Sequence, residues 1–188
     1  MFPKEKSYKL LIQQSIQQLR LASEHIEIIR KEMNELASTL PEYETVMSMY
    51  GVGETYGPQL IAEIGDVSRF THREAITAFA GVDPGVNESG AYEQKSVPTS
   101  KRGSADLRNR ASKNGSTRLR KTLFQVMSTY LQNKPVNEPV YQFLDRKRAE
   151  GKPYLVYMTA GANKFLRIYY GKVKECLRNL EQSQIEES

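Results

Sequence analysis

The sequence predicts an all-α protein, with a long amino-terminal coiled-coil helix followed by a compact helical domain containing a helix-hairpin-helix. Three observations carry that expectation. Apolar residues from Ile12 to Leu40 recur at threes and fours, the spacing of one helix face. The same period returns from Thr117 to about Gln132 and from Pro153 to about Leu180. A Gly51-Val52-Gly53 turn joins two short apolar stretches, which is the sequence form of two helices meeting at a tight bend.

Taken in order, residues 1–40 form the coiled-coil helix. Ile12, Ile16, Leu19, Ala22, Ile26, Ile29, Met33, Leu36 and Leu40 mark a near-heptad seam, too narrow for a globular helix and in need of a partner. A second copy of the chain, giving a homodimer or higher oligomer, is expected over packing in cis. Pro41 disfavours helix at the residue before it. The compact domain covers 41–180, with a helix-hairpin-helix at 42–65: Glu42–Tyr50, the glycine turn, then Glu54–Ile64 closed by Gly65. Thr71-His-Arg-Glu74 has the form of a capping box and opens a helix to about Ala80. The glycines and proline at 81–85 break that helix. Helices follow over 117–132, with Ser116 as N-cap, and over Glu138–Glu150, stopped by Gly151. The last helix runs from Pro153 to about Leu180, and 181–188 is a frayed tail. A short hairpin between Ala91 and Thr99 is the only strand considered.

The chain has 188 residues and a net charge of +5, but the charge is unevenly placed. From Lys95 to Lys121 there are nine Lys and Arg against Asp106 alone, so this segment is basic while the remainder is net acidic. Clustered cations release counterions from a phosphate backbone. Lys95, Lys101, Arg102, Arg108, Arg110, Lys113, Arg118, Arg120 and Lys121 are therefore candidate nucleic-acid contacts, within a basic loop spanning 81–121. A solvated charged loop is the alternative. Gly51 and Gly53 join the candidates, because a side-chain-free turn lets backbone amides approach phosphate. A simple αα-hairpin carries equal weight at this point.

Other chemistries are thinly supported. No apolar run reaches the roughly 20 residues that span a bilayer, and the polar start of the first helix has no signal-peptide pattern, so a cytoplasmic protein without membrane partners is expected. Cys176 is the lone cysteine and His25 and His72 lie far apart, which argues against zinc; Cys176 reads as a buried small hydrophobe. Glu63, Asp66, Asp83 and Glu88 are the acids near the basic loop, and their spacing makes no compelling metal site. Ser89, before Gly90 in a turn-rich stretch, is a hydroxyl with cations nearby and no base in sight, so the residues alone leave it more readily a turn residue than a nucleophile. Within the basic run, Ser100-Lys-Arg-Gly-Ser104 is echoed by Ser112-Lys-Asn-Gly-Ser116.

Several of these blocks together carry a resemblance: Gly51-Val-Gly53, Leu60-Ile-Ala-Glu-Ile-Gly-Asp66, Phe79-Ala-Gly-Val-Asp-Pro84, Ser89-Gly90, Ser100–Ser104, Glu150-Gly-Lys-Pro-Tyr154 and Ala162-Asn-Lys-Phe-Leu166. From about Pro41 to Leu180 the chain resembles the carboxy-terminal transposase domain of the IS one-ten, one-sixteen and nine-oh-two insertion-sequence family, the bridge-RNA-guided recombinases. The resemblance implies that Ser89 is the nucleophile forming a phosphoserine link to DNA. It implies a bridge RNA as further partner. It also implies that Mg²⁺ is held by a RuvC-like domain bearing four acids, which this sequence lacks, so no cofactor is expected within the chain itself. The resulting expectation is a recombination domain completed by that acidic domain and inactive alone. The alternatives are a non-catalytic nucleic-acid-binding fragment or accessory module and, more weakly, a structural coiled-coil protein.

Overall fold

A computed structural model describes residues 4–83 and 115–186, with side chains from Ser7 onward. Every regular element among the described residues is helical, as the apolar periods require. The long helix α1 (Lys4–Ser38) leads into α2 (Tyr43–Met47), α3 (Gly53–Ile64), a 3₁₀ turn at Val67–Arg69, α4 (Arg73–Ala80), α5 (Thr117–Asn133), α6 (Pro139–Ala149) and α7 (Tyr154–Glu186).

The core is built where the inward faces of α3 to α7 meet. Leu119, Leu123, Val126, Met127 and Tyr130 of α5 are all buried, as their spacing predicts. On α7 the buried face is Met158, Ala162, Phe165, Leu166, Tyr169 and Val173. Leu60 and Ile64 from α3, Ile76 and Ala80 from α4 and Leu144 from α6 complete it. Each fully buried side chain of this size contributes about 1.5–3 kcal/mol. Close approach is set by Gly161, where a Cβ would come within 2.9 Å of both Leu144 and Met127. That one missing methyl lets α7 lie against α5 and α6 together.

α1 stands largely outside this core. Ile12, Ile16, Leu19, Ile26, Ile29 and Leu36 of the seam are exposed. Only its last turns dock, through buried Ala37 and through Asn34, whose Oδ1 accepts a hydrogen bond from Tyr43 Oη at 2.8 Å.

Four local expectations need correction. α2 ends at Met47 rather than Tyr50, because residues 48–52 turn to deliver the chain to α3. The cap of α4 is His72, not Thr71: its extended backbone lets Nδ1 accept from the Ala75 N–H at 3.2 Å, so no capping box forms. α7 continues to Glu186, since nothing after Leu180 breaks a helix. Cys176 is only partly buried, with Sγ 3.8 Å from the Pro41 carbonyl oxygen.

Candidate nucleic-acid interface

The structure brings together the two places where the basic loop meets the fold. α4 ends on Gly81, whose φ of +66° suits glycine. Gly115 lies directly against it: a Cβ on Gly115 would overlap the Gly81 nitrogen and the Phe79 carbonyl oxygen. The Ser116 N–H donates to Phe79 O at 2.7 Å. Chain exit and chain return are thus joined in one narrow neck.

Neighbouring helices fasten that neck. Asn163 of α7 donates from Nδ2 to Asp83 Oδ1 at 2.8 Å and reaches the Val82 carbonyl at 3.5 Å. Ser116 caps α5 by accepting from the Leu119 N–H at 3.1 Å, and its hydroxyl donates to Glu63 Oε2 of α3 at 3.2 Å. One turn back along α3, Gln59 Oε1 accepts from Thr122 Oγ1 at 3.3 Å. Arg120 Nη1 donates to the Ala80 carbonyl at 3.3 Å, placing a cation on the carbonyl end of α4, where the helix dipole favours it.

The candidate contacts divide accordingly. Arg118 and Lys121 are exposed on the first turns of α5 and flank a shallow groove of about 310 Å³ whose other walls include Met33, Gln59 and Glu63. Arg120 is partly buried and directs Nη1 to the neck. Ser89, Lys95, Lys101, Arg102, Arg108, Arg110 and Lys113 lie outside the described residues, as do Glu88, Ser104 and the possible 91–99 hairpin.

Gly51 and Gly53 sit at the far end. Both have positive φ, +77° and +53°, as a tight bend demands. Gly51 is packed toward α5, its missing Cβ position 3.4–3.6 Å from Tyr130 and Val126. Gly53 opens α3 with no neighbour within 4 Å of that position. Because Gln59 meets Thr122 and Glu63 meets Ser116, α3 and α5 run antiparallel. The glycine bend is therefore about 15–18 Å, the length of α3, from the neck.

The acids do not converge. Glu63 takes Ser116 and Asp83 takes Asn163. Asp66 takes the Ser68 N–H and hydroxyl at 2.7 and 2.5 Å, bonds that hold its carboxyl below the usual range. Among the described residues there is no group of three or more His, Cys, Asp or Glu that could hold a metal ion, and no helix there is long and apolar enough to cross a membrane.

Sequence reasoning missed the fastening residues. Asn163 stood inside one recognised block and Asp83 inside another, yet nothing local pairs positions 80 residues apart. Arg69 carries no signal in the sequence either, yet its guanidinium lies 4.6 and 4.5 Å from the ring centroids of Phe70 and Phe79, and the Phe79 carbonyl is part of the neck.

Residues 43–110 match the model of the Transposase IS116/IS110/IS902 family. That span takes in α2 to α4, the exit side of the neck and Ser89, and supports a function connected with transposition. No curated protein matches the chain.

Proposed function

We propose that this chain is a DNA-recombination domain in which the segment between Asp83 and Gly115 presents Ser89 to a DNA phosphodiester. The observation that carries the proposal is the neck. A reacting hydroxyl must be held in a fixed place to gain from orientation, and the base of its segment is fastened by α3, α5 and α7 at once. The family match over 43–110 includes the same segment.

On this reading Ser89 Oγ attacks phosphorus. The bond from phosphorus to one deoxyribose oxygen breaks, its electrons leave with that oxygen, and a phosphoserine ester forms. The serine proton passes to a base on an acid-bearing partner domain, which is also where Mg²⁺ belongs. Lys95, Lys101, Arg102, Arg108, Arg110, Lys113, Arg118, Arg120 and Lys121 hold the phosphate backbone, and the backbone amide of exposed Gly53 adds a contact further along. Contacts of this kind position DNA without reading its sequence, which leaves target choice to a guide such as a bridge RNA. The exposed seam of α1 pairs with a second copy, bringing two such sites together.

The test supplies an acid-bearing partner domain of this transposase class in trans, with Mg²⁺ and a labelled duplex. A covalent protein–DNA adduct that disappears in Ser89→Ala is expected. An undiminished adduct in Ser89→Ala would remove the nucleophile assignment. A chain that binds DNA with a steep salt dependence but never forms an adduct would instead be the non-catalytic binding module.

A further inference from the structure

A second group of cations lies away from the basic loop, at the corner between α6 and α7. Asp145-Arg-Lys-Arg-Ala-Glu-Gly-Lys152 closes α6 and turns toward α7, and Lys164 of α7 folds back onto it. Arg146, Lys147 and Lys164 all range round one ring, that of Phe143, at 5.3, 5.9 and 5.2 Å from its centroid. With Arg148 and Lys152 the corner carries five cations against two carboxylates, Asp145 and Glu150.

The carboxylates are already committed. Lys147 pairs with Glu150 at 2.8 Å and Arg148 with Asp145 at 2.9 Å. Glu150 also feels the charges of Lys152 and Arg146, after that of Lys147, but Arg146, Lys152 and Lys164 form no direct ion pair among the described residues. Three cations gathered on one ring repel one another across distances comparable to the screening length of about 8 Å at physiological salt. The ring face offsets part of that repulsion. A polyanion laid over the corner would offset the rest.

We propose that this corner is a second phosphate-holding surface, and that its occupant is the backbone of the same DNA duplex engaged by the 84–114 segment. The inference rests on the recombination reading for the identity of the DNA. What ties the two surfaces together is α7: Asn163 fastens the neck through Asp83, and the next residue, Lys164, stands over Phe143. Lys164 follows Asn163 by one residue, about 1.5 Å along the axis of α7, so the corner and the neck adjoin on neighbouring faces of one helix.

The test measures full-chain binding to a 30-base-pair duplex of random sequence by fluorescence anisotropy, between about 50 and 200 mM salt. For Arg146→Gln/Lys152→Gln/Lys164→Gln, the slope of log affinity against log salt should become shallower by about 0.9 per lost contact, so by about 2 to 3. Affinity at 100 mM salt should fall on the order of 10- to 100-fold. The charge-keeping variant Arg146→Lys/Lys152→Arg/Lys164→Arg should bind as the parent does; if it also loses binding, packing and not charge was disturbed and the proposal fails. An equal loss in Arg20→Gln/Lys31→Gln/Arg178→Gln, which removes three exposed cations elsewhere, would reduce the effect to net charge and overturn it. So would an unchanged slope in the first variant, or a loss confined to RNA of the same length. Lys95→Gln/Lys101→Gln/Arg102→Gln separates the two readings. If that variant binds DNA normally while the corner variant does not, the loop reading and the shared duplex fall and the corner remains a DNA surface of its own; the converse removes the corner alone.

Discussion

Asn163 and Asp83, on elements that share no local sequence, meet through a 2.8 Å hydrogen bond at the base of the basic loop. The amide also approaches the Val82 carbonyl, so α7 grips the chain just where it leaves α4. This bond is partly buried and has a carboxylate acceptor, which makes it stronger than a neutral pair.

Removing either partner should show that coupling. Asn163→Ala and Asp83→Ala are each expected to lower unfolding free energy by about 1–2 kcal/mol. The double variant should lose less than the sum, with a coupling of about 1 kcal/mol by chemical denaturation. Strict additivity would mean that the bond carries no energy of its own.

The neck should also resist added volume. A Cβ on Gly115 would meet backbone atoms of Phe79, Ala80 and Gly81 rather than a flexible side chain. Gly115→Ala should therefore cost about 2–3 kcal/mol. Gly53→Ala has open space and faces only the strain of its φ of +53°, about 1–2 kcal/mol. Thermal melts that rank Gly53→Ala as the more damaging would contradict the described approach of Gly81 to Gly115.

Acid pH tests the hold between α4 and α7. The Arg73 side chain, then Glu74's own backbone N–H, then the charges of Arg73 and Arg167 hold the Glu74 carboxyl below the usual carboxylate range. Its folded value is depressed, so its contribution is fully present above that ordinary range and is lost as pH falls through the lowered value. In a carboxyl-resolved NMR titration, Arg167→Gln should move the Glu74 midpoint up toward the ordinary range, and Arg73→Gln should move it further. An unmoved midpoint in both would show that neither guanidinium acts on it.

Association should depend on α1. Ile26→Glu and Ile29→Glu place charges on the exposed seam and should shift sedimentation from dimer to monomer at micromolar concentration, with lower helical ellipticity. An isolated helix of this kind is marginal in water without a partner. A parent chain that sediments as a monomer with full helicity would remove the coiled coil from the proposal.

Much of the fold was legible because the helical period is a local signal. Leu119 to Tyr130 and Ala162 to Val173 announced their inward faces by spacing alone, and Ser116 announced a cap by its position before Thr117. The contacts that make the neck were not legible. Gly115 against Gly81 and Glu63 against Ser116 are tertiary pairings between residues with no periodic mark. Arg120 shows the limit from the other side: composition groups it with phosphate-facing cations, but nothing local announces that one of its guanidinium nitrogens reaches the Ala80 carbonyl 40 residues away. His72 displaced Thr71 as cap because backbone geometry, not residue type, decides which side chain faces the open N–H groups.

Because Gly81 and Gly115 touch, the ends of the intervening stretch are held together by the helical body whatever the length between them. Lengthening such an excursion twofold raises its closure entropy by only about 0.6 kcal/mol. A chimera carrying a foreign segment from 84 to 114 is therefore expected to keep the parent's helical ellipticity, with the two glycines acting as a fixed socket for the graft.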